Sequence, residues 1–138
     1  MKKLILTILS IIAVIPLAKT QTNYSKINKE NLIIKEWNTD AKTGKKVLDH
    51  ITTYNADRKK IEEIEYGLSG QKWRKRYEYG QNGKCAKESV YNERNQLVNY
   101  KTFEYNKYGR KSVQYTHDAR GKIISIKKFE YILSDEQQ

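Results

Sequence analysis

The side chains of this chain best suited to acid–base, nucleophilic or metal chemistry are His50, His117, Cys85 and the glutamates Glu62, Glu63, Glu65, Glu78, Glu88, Glu104 and Glu130. A histidine pair could hold a metal or relay a proton. Two carboxylates ~5 to 10 Å apart could cleave a glycosidic bond. A thiolate could act as a nucleophile. The spacing supports none of these. In an extended meander the two histidines fall about five strands apart, ~24 Å at ~4.8 Å per strand, too far to share a metal unless the sheet closes into a barrel. Cys85 is the only cysteine, forms no intramolecular disulfide, and reads as a small half-buried strand residue with no histidine near it in sequence. The glutamates alternate with lysines and arginines and read as paired, solvated carboxylates. A serine-centred elbow, a phosphate loop and a zinc spacing are absent from the sequence. The expectation is a non-enzyme with no catalytic residue, metal or cofactor.

Charge is the remaining functional signal. The formal net charge is +11, and loss of Lys2, Lys3 and Lys19 with an N-terminal leader would leave +8. The basic residues concentrate at Lys45-Lys46, Arg58-Lys59-Lys60, Lys72 with Arg74-Lys75-Arg76, Arg110-Lys111 and Lys127-Lys128. Three of these clusters follow turn signals, which predicts a line of cations along the hairpin tips. Lys59, Lys60, Lys72, Arg74, Lys75, Arg76, Arg110 and Lys111 are therefore the candidate polyanion-binding set. Cations interleaved with tyrosines suit an anionic glycan, an acidic headgroup or a nucleic acid. A plainer reading also stands, in which the charges keep exposed strands from pairing with other molecules.

The elements that must position these residues are set by a repeat. Gly44, Arg58, Gly70, Gly83, Asn95, Gly109 and Gly121 follow one another at spacings of 14, 12, 13, 12, 14 and 12 residues. Four residues before each of the last six stands Tyr54, Tyr66, Tyr79, Tyr91, Tyr105 or His117. Fixed-period similarity marks stacked supersecondary units. The two alternating spacings make the unit a pair of strands, about 26 residues long. Arms of eight to ten residues, rich in Tyr, Val, Ile, Thr and Phe and bounded by Gly, Asn or Asp, are strands. The predicted fold is all-β, an antiparallel meander of hairpins with about seven or eight strands in one open or curled sheet. Only 38% of residues are hydrophobic and 31% are charged, too few apolar side chains for a two-sheet core. Eleven tyrosines offset the shortage, because a phenol ring covers a neighbouring strand while its hydroxyl stays wet. Tyr54, Tyr66, Tyr79, Tyr91, Tyr105, His117 and Tyr131 form the expected structural ladder.

Counting back from each terminal Tyr by alternation predicts a shared aromatic face. It carries Trp73, Tyr77, Tyr79, Phe103 and Tyr105 from the longer arms, and Ile64, Tyr66, Tyr91, Val113 and Tyr115 from the shorter ones. For the hairpin around Gly67 to Gly70, Tyr66 facing Gln71 would set Ile64 against Trp73, Glu63 against Arg74 and Glu62 against Lys75.

Lys2 and Lys3 precede an apolar run from Leu4 to Ala18, which is the plan of a signal peptide. The run is about 15 residues, short of the ~20 needed to span a bilayer. The expected organisation is a signal peptide over 1–20, an N-terminal segment with a possible first strand over 21–43, the hairpin repeat domain over 44–131 and a polar tail over 132–138. Export without disulfides fits a secreted or periplasmic bacterial protein, with no transmembrane span once the leader is removed.

Phe103-Glu104-Tyr105-Asn106-Lys107-Tyr108-Gly109-Arg110 and Tyr77-Glu78-Tyr79-Gly80-Gln81-Asn82-Gly83-Lys84 resemble the tyrosine-aspartate (YD, or RHS-type) repeat, in which aromatic-x-Tyr-Asp is followed by x-x-Gly-Arg and a strand. The resemblance spans about residues 44 to 131. It departs at Asn55, Gly80 and Asn106, which stand where that repeat has Asp, and at Arg58 and Asn95, which replace its Gly. A MORN-type hairpin repeat is the second resemblance. Both imply hairpin arrays that serve as scaffolds, shells or binding surfaces, without a chemical reaction. The functional expectation is thus an exported module that binds an anionic glycan or other envelope component through its Lys and Arg stripe, with nucleic acid the least expected partner. The alternative is a protein-interaction or assembly module that uses free sheet edges or the aromatic face for strand addition.

Overall fold

The computed structural model describes residues 27–133. The expected leader over 1–20 and most of the tail over 132–138 lie outside the described residues. Eight strands follow in chain order: β1 Ile33–Thr39, β2 Lys46–Tyr54, β3 Lys60–Gly67, β4 Gly70–Tyr79, β5 Cys85–Tyr91, β6 Leu97–Tyr105, β7 Lys111–Asp118 and β8 Ile123–Lys128. They form one antiparallel sheet in the order β1-β2-β3-β4-β5-β6-β7-β8. The sheet is an open meander with β1 and β8 as its edges, so His50 on β2 and His117 on β7 stay five strands apart.

All seven turn positions singled out by the repeat have a left-handed backbone, from φ +59° at Asn95 to +108° at Gly70. Five are glycine, which takes that conformation freely, while Arg58 (φ +61°) and Asn95 adopt it against the Cβ penalty. Asn31 (φ +52°) is an eighth, 13 residues before Gly44, so the repeat phase reaches back to the head of β1.

Each hairpin also carries an irregularity that alternation does not foresee. Register shifts by one between Glu36 and Trp37, Thr53 and Tyr54, Glu65 and Tyr66, Glu78 and Tyr79, Val90 and Tyr91, Glu104 and Tyr105, and Thr116 and His117. In every case the extra residue is on the strand that leaves the turn, for example Ala86 between Cys85, opposite Tyr79, and Lys87, opposite Glu78. A β-bulge of this kind reverses parity for the rest of the strand.

Two sequence expectations are corrected for that reason. Tyr66 does face Gln71, but beyond the bulge at Lys72 the partners are Glu65 and Trp73, Ile64 and Arg74, Glu63 and Lys75, and Glu62 and Arg76. The aromatic residues also divide between the faces. Tyr77, Tyr79, Phe103 and Tyr105 share one face with Glu63, Lys75, Glu88 and Lys101. Tyr91 lies opposite Arg74, Tyr115 opposite Thr102, and Ile64 opposite Arg74, all on the other face.

Both faces are consequently amphipathic, and no hydrophobic side chain is fully buried among the described residues. The deepest positions are the small hydroxyl residues Ser89 (2% exposed) and Thr52 (8%), overlaid by longer neighbours. Ser89 lies between Arg76 and Tyr100 in the cross-strand row. The sheet is held by its ladder hydrogen bonds and by cross-strand side-chain contacts, such as His50 edge-on to Trp73 (5.9 Å between ring centres) and Tyr100 stacked on His117 (4.5 Å). Thr102 Oγ1 lies 3.0 Å from His117 Nε2, and Nδ1 of the same ring lies 3.3 Å from the Gly121 carbonyl oxygen, which makes Nδ1 the donor.

Candidate functional site

The turns 55–59, 80–84 and 106–110 all lie at one end of the sheet, because β2, β4 and β6 end there and β3, β5 and β7 begin there. Each turn closes with paired backbone bonds of one pattern. Asn55, Gly80 and Asn106 donate their N–H to the carbonyls of Lys59, Lys84 and Arg110 (2.8 to 2.9 Å), and accept at their own carbonyls from Arg58, Gly83 and Gly109 (2.9 to 3.0 Å). The Asn55 and Asn106 side chains brace the same loops by accepting from the N–H of Lys59 (2.9 Å) and Arg110 (3.0 Å). Where Gly80 lacks a side chain, Asn82 Oδ1 accepts from Lys84 N–H instead (3.0 Å). The residue after the left-handed position is thereby held in one direction in all three turns, and it is Lys59, Lys84 or Arg110.

These cations lean toward the next repeat. Lys59 Nζ lies 5.1 Å from the ring centre of Tyr79, and the Arg110 guanidinium 5.4 Å from that of Tyr131. Lys29 repeats the relation one unit earlier, 5.1 Å from the Tyr54 ring. Lys84 packs over the backbone of Gly109, where an added Cβ would meet its Nζ at 3.2 Å, and Lys59 similarly covers Gly83 at 3.1 Å. Lys29, Lys59, Lys84 and Arg110 form a row with members two strands apart, about 10 Å at the usual strand spacing.

Under the row lie the tyrosines of the longer arms, of which Tyr79, Tyr105 and Tyr131 are tied to the preceding hairpin. Tyr79 Oη donates to the Lys60 carbonyl, Tyr105 Oη to the Cys85 carbonyl and Tyr131 Oη to the Lys111 carbonyl, each at 2.8 Å. Burial pushes the phenol pKa of Tyr79 and Tyr105 above its ordinary value, so both remain donors. Burial raises the Cys85 thiol as well, which keeps it protonated near neutrality.

The eight cations singled out in sequence therefore separate into two groups. Lys59, Lys60, Arg110 and Lys111 sit at this end of the sheet. Lys60 is engaged, 2.7 Å from Glu63 Oε1 and 5.0 Å from the Tyr77 ring centre, whereas Lys111 lies 3.8 Å over Phe103. Lys72, Arg74, Lys75 and Arg76 lie along β4 and belong to the sheet's own charge balance. Arg74 and Arg76 flank Glu62 at 3.9 and 3.8 Å, Lys72 meets Glu65 at 3.3 Å, and Lys75 lies 4.9 Å over Trp73, opposite Glu63. Alternation sends Lys75 to one face and Arg74 and Arg76 to the other, so the four do not form a stripe.

Lys29 and Lys84 were not among the sequence candidates. Lys84 was findable, since it follows Gly83 as Lys59 follows Arg58 and Arg110 follows Gly109. At this end Lys29, Arg58, Lys59, Lys60, Lys84, Lys107, Arg110 and Lys111 accompany Glu30, Asp57, Glu78, Glu104 and Glu130, eight cations against five anions. Turns at the opposite end mix Asp40, Glu93 and Asp118 with their cations, and there a neutral link joins neighbouring tips, with Gln71 Nε2 donating to the Asn92 carbonyl (2.8 Å) and Asn95 Oδ1 (3.0 Å).

Among the described residues, no helix is long and apolar enough to cross a membrane. No protein-family model and no curated protein matches the sequence. Among solved structures, the chain is similar to a DUF3836 family protein from Parabacteroides distasonis at 15% identity, covering 70% of this chain and 88% of that one with a TM-score of 0.33. A likeness that slight carries no argument about activity.

Proposed function

We propose that this protein is an exported, non-enzymatic β-repeat module, of the kind its YD-type motifs resemble, that binds an anionic polymer of the cell envelope or its surroundings at the basic end of the sheet. The observation that carries the reading is the row Lys29, Lys59, Lys84 and Arg110: the last three follow the left-handed residue of successive hairpins, Lys29 extends the row from the turn before β1, and cations outnumber acids around it. Regularly spaced cations on a rigid scaffold match the regularly spaced charges of a linear polyanion, with little ordering cost on the protein side. Such binding is driven by charge and falls steeply as salt rises.

The test is retention of the purified protein on an immobilised anionic polysaccharide. The unaltered protein should elute at moderate salt. The triple variant Lys59→Ser, Lys84→Ser, Arg110→Ser should elute markedly earlier with its melting temperature little changed. A triple variant of the β4 cations Arg74, Lys75 and Arg76 should lose stability first, because those groups hold sheet glutamates. Unchanged elution of the first variant would remove the basis of the proposal.

A further inference from the structure

The two edges of the sheet fit one another. All seven residues of β1 and all six of β8 are exposed, with Ile33 (57%), Trp37 (48%), Ile124 (59%) and Ile126 (56%) among the exposed apolar side chains. Their outer N–H and C=O groups pair with no further strand among the described residues and form a template for another strand. We infer that β8 of one molecule pairs with β1 of a second copy of this chain, extending the meander head to tail. This goes beyond polyanion binding and does not depend on it.

Three observations select this occupant. The sheet has an even number of strands, so β1 and β8 run in opposite directions, and a second copy placed by translation presents β1 antiparallel to β8. The turn that opens β1 also belongs to the repeat. Asn31 has the left-handed backbone of Arg58, Gly83 and Gly109, Glu30 N–H donates to Asn28 Oδ1 (3.1 Å) as Tyr108 N–H does to Asn106 Oδ1 (3.0 Å), and this turn lies at the same end as Tyr131. No strand precedes it among the described residues.

The repeat then dictates a register. At this end each terminal Tyr pairs with the residue two past the left-handed position (Tyr54 with Lys60, Tyr79 with Cys85, Tyr105 with Lys111). After one bulged residue, the position before the Tyr pairs two further on (Thr53 with Glu62, Glu78 with Lys87, Glu104 with Val113). Applied between copies, the rule sets Tyr131 against Ile33, Glu130 against Lys35 and Lys128 against Trp37. Acid meets base, and a lysine meets an indole, as Lys46 already does within the chain at 4.8 Å. The faces agree as well. Lys35 lies opposite Ile51, in the row that runs through Ile64 to Arg74. Alternation from Lys128, opposite Val113, puts Glu130 on that same face. Such an interface is heterologous and propagates into a fibre or ring.

The test uses the full chain with Cys85→Ser as background. Lys35→Cys and Glu130→Cys are prepared separately, mixed, and oxidised gently. Both positions are solvent-exposed and should leave folding intact, which circular dichroism confirms. The mixture is expected to give a disulfide-linked dimer several-fold above either variant alone, since directly opposed strand residues come within disulfide reach. Sedimentation of the unaltered protein should show mass rising with concentration. A strict monomer throughout the micromolar range, or Glu130→Cys alone linking as well as the mixture, would overturn the inference; the latter would indicate symmetric β8–β8 pairing.

Discussion

Replacing Tyr105 with alanine should be among the most damaging single changes to this sheet. The ring is half-buried, and its hydroxyl donates to the Cys85 carbonyl at 2.8 Å, tying β6 back to β5. Full burial of an aromatic ring gives about 3 to 5 kcal/mol on truncation, and half-burial scales this to about 2. The lost hydrogen bond adds about 1 kcal/mol. A total of about 2 to 3 kcal/mol corresponds to a drop of roughly 10 to 20 °C in a domain of this size. Tyr131 makes the same bond, to Lys111, but is 49% exposed and has a neighbour on one side only. Tyr131→Ala should therefore cost about 1 kcal/mol and act by fraying β8, since end units of a repeat array open locally. Tyr105→Phe isolates the hydrogen bond at about 1 kcal/mol. Thermal and urea melts of the three variants measure the differences, with hydrogen exchange to locate the fraying. Equal and negligible shifts for Tyr105→Ala and Tyr131→Ala would refute the structural role and return the rings to a ligand platform.

Glu62→Ala should destabilise by about 1 kcal/mol, because it strips the carboxylate from Arg74 and Arg76 and Arg74 Nε is already buried without a hydrogen bond among the described residues; urea midpoints compare it with Glu62→Gln. Burial acts to raise the Glu63 pKa, but hydrogen bonds from Lys60 and Tyr77 and the charges of Lys60 and Lys75 outweigh it and leave the carboxyl below its ordinary value. Its contribution is then complete above the unfolded carboxyl pKa of about 4.3 and lost as pH falls through the lower folded value, so Glu63→Gln should flatten the acid limb of a stability–pH curve. Arg58 holds φ +61° without being glycine; Arg58→Gly should therefore stabilise by up to about 1 kcal/mol, read as a higher melting temperature.

What was legible in the sequence was whatever is fixed by a single residue's backbone preference. The seven turn positions, the arms between them and the meander follow from Gly, Asn and the Tyr four residues earlier, because a left-handed turn excludes most side chains; β1 was only a possible strand. The bulges were not legible. Ala86, Val98 and Ser112 look like ordinary strand residues, and an extra one costs the side-chain pattern nothing when both faces carry the same mixture of rings and charges. Alternation therefore keeps the longer arms on their common face but sets the shorter ones on the wrong face relative to them, Tyr91 and Tyr115 included. The basic end was half legible. Runs of adjacent cations single out Arg74-Lys75-Arg76, which alternation scatters, while the isolated Lys84 joins the basic row through its place in the repeat.

A sheet whose deepest side chains are Ser89 and Thr52 also has an unusual thermal character. Unfolding a globular domain exposes much apolar surface and raises the heat capacity by about 12 to 15 cal/mol/K per residue. Here the rings and aliphatic stems are already partly hydrated in the folded state, so the increment is smaller. The expected consequence is a shallow stability curve in which cold denaturation recedes and the free energy of unfolding changes little from near freezing to warm conditions, which calorimetry would read as a small heat-capacity increment.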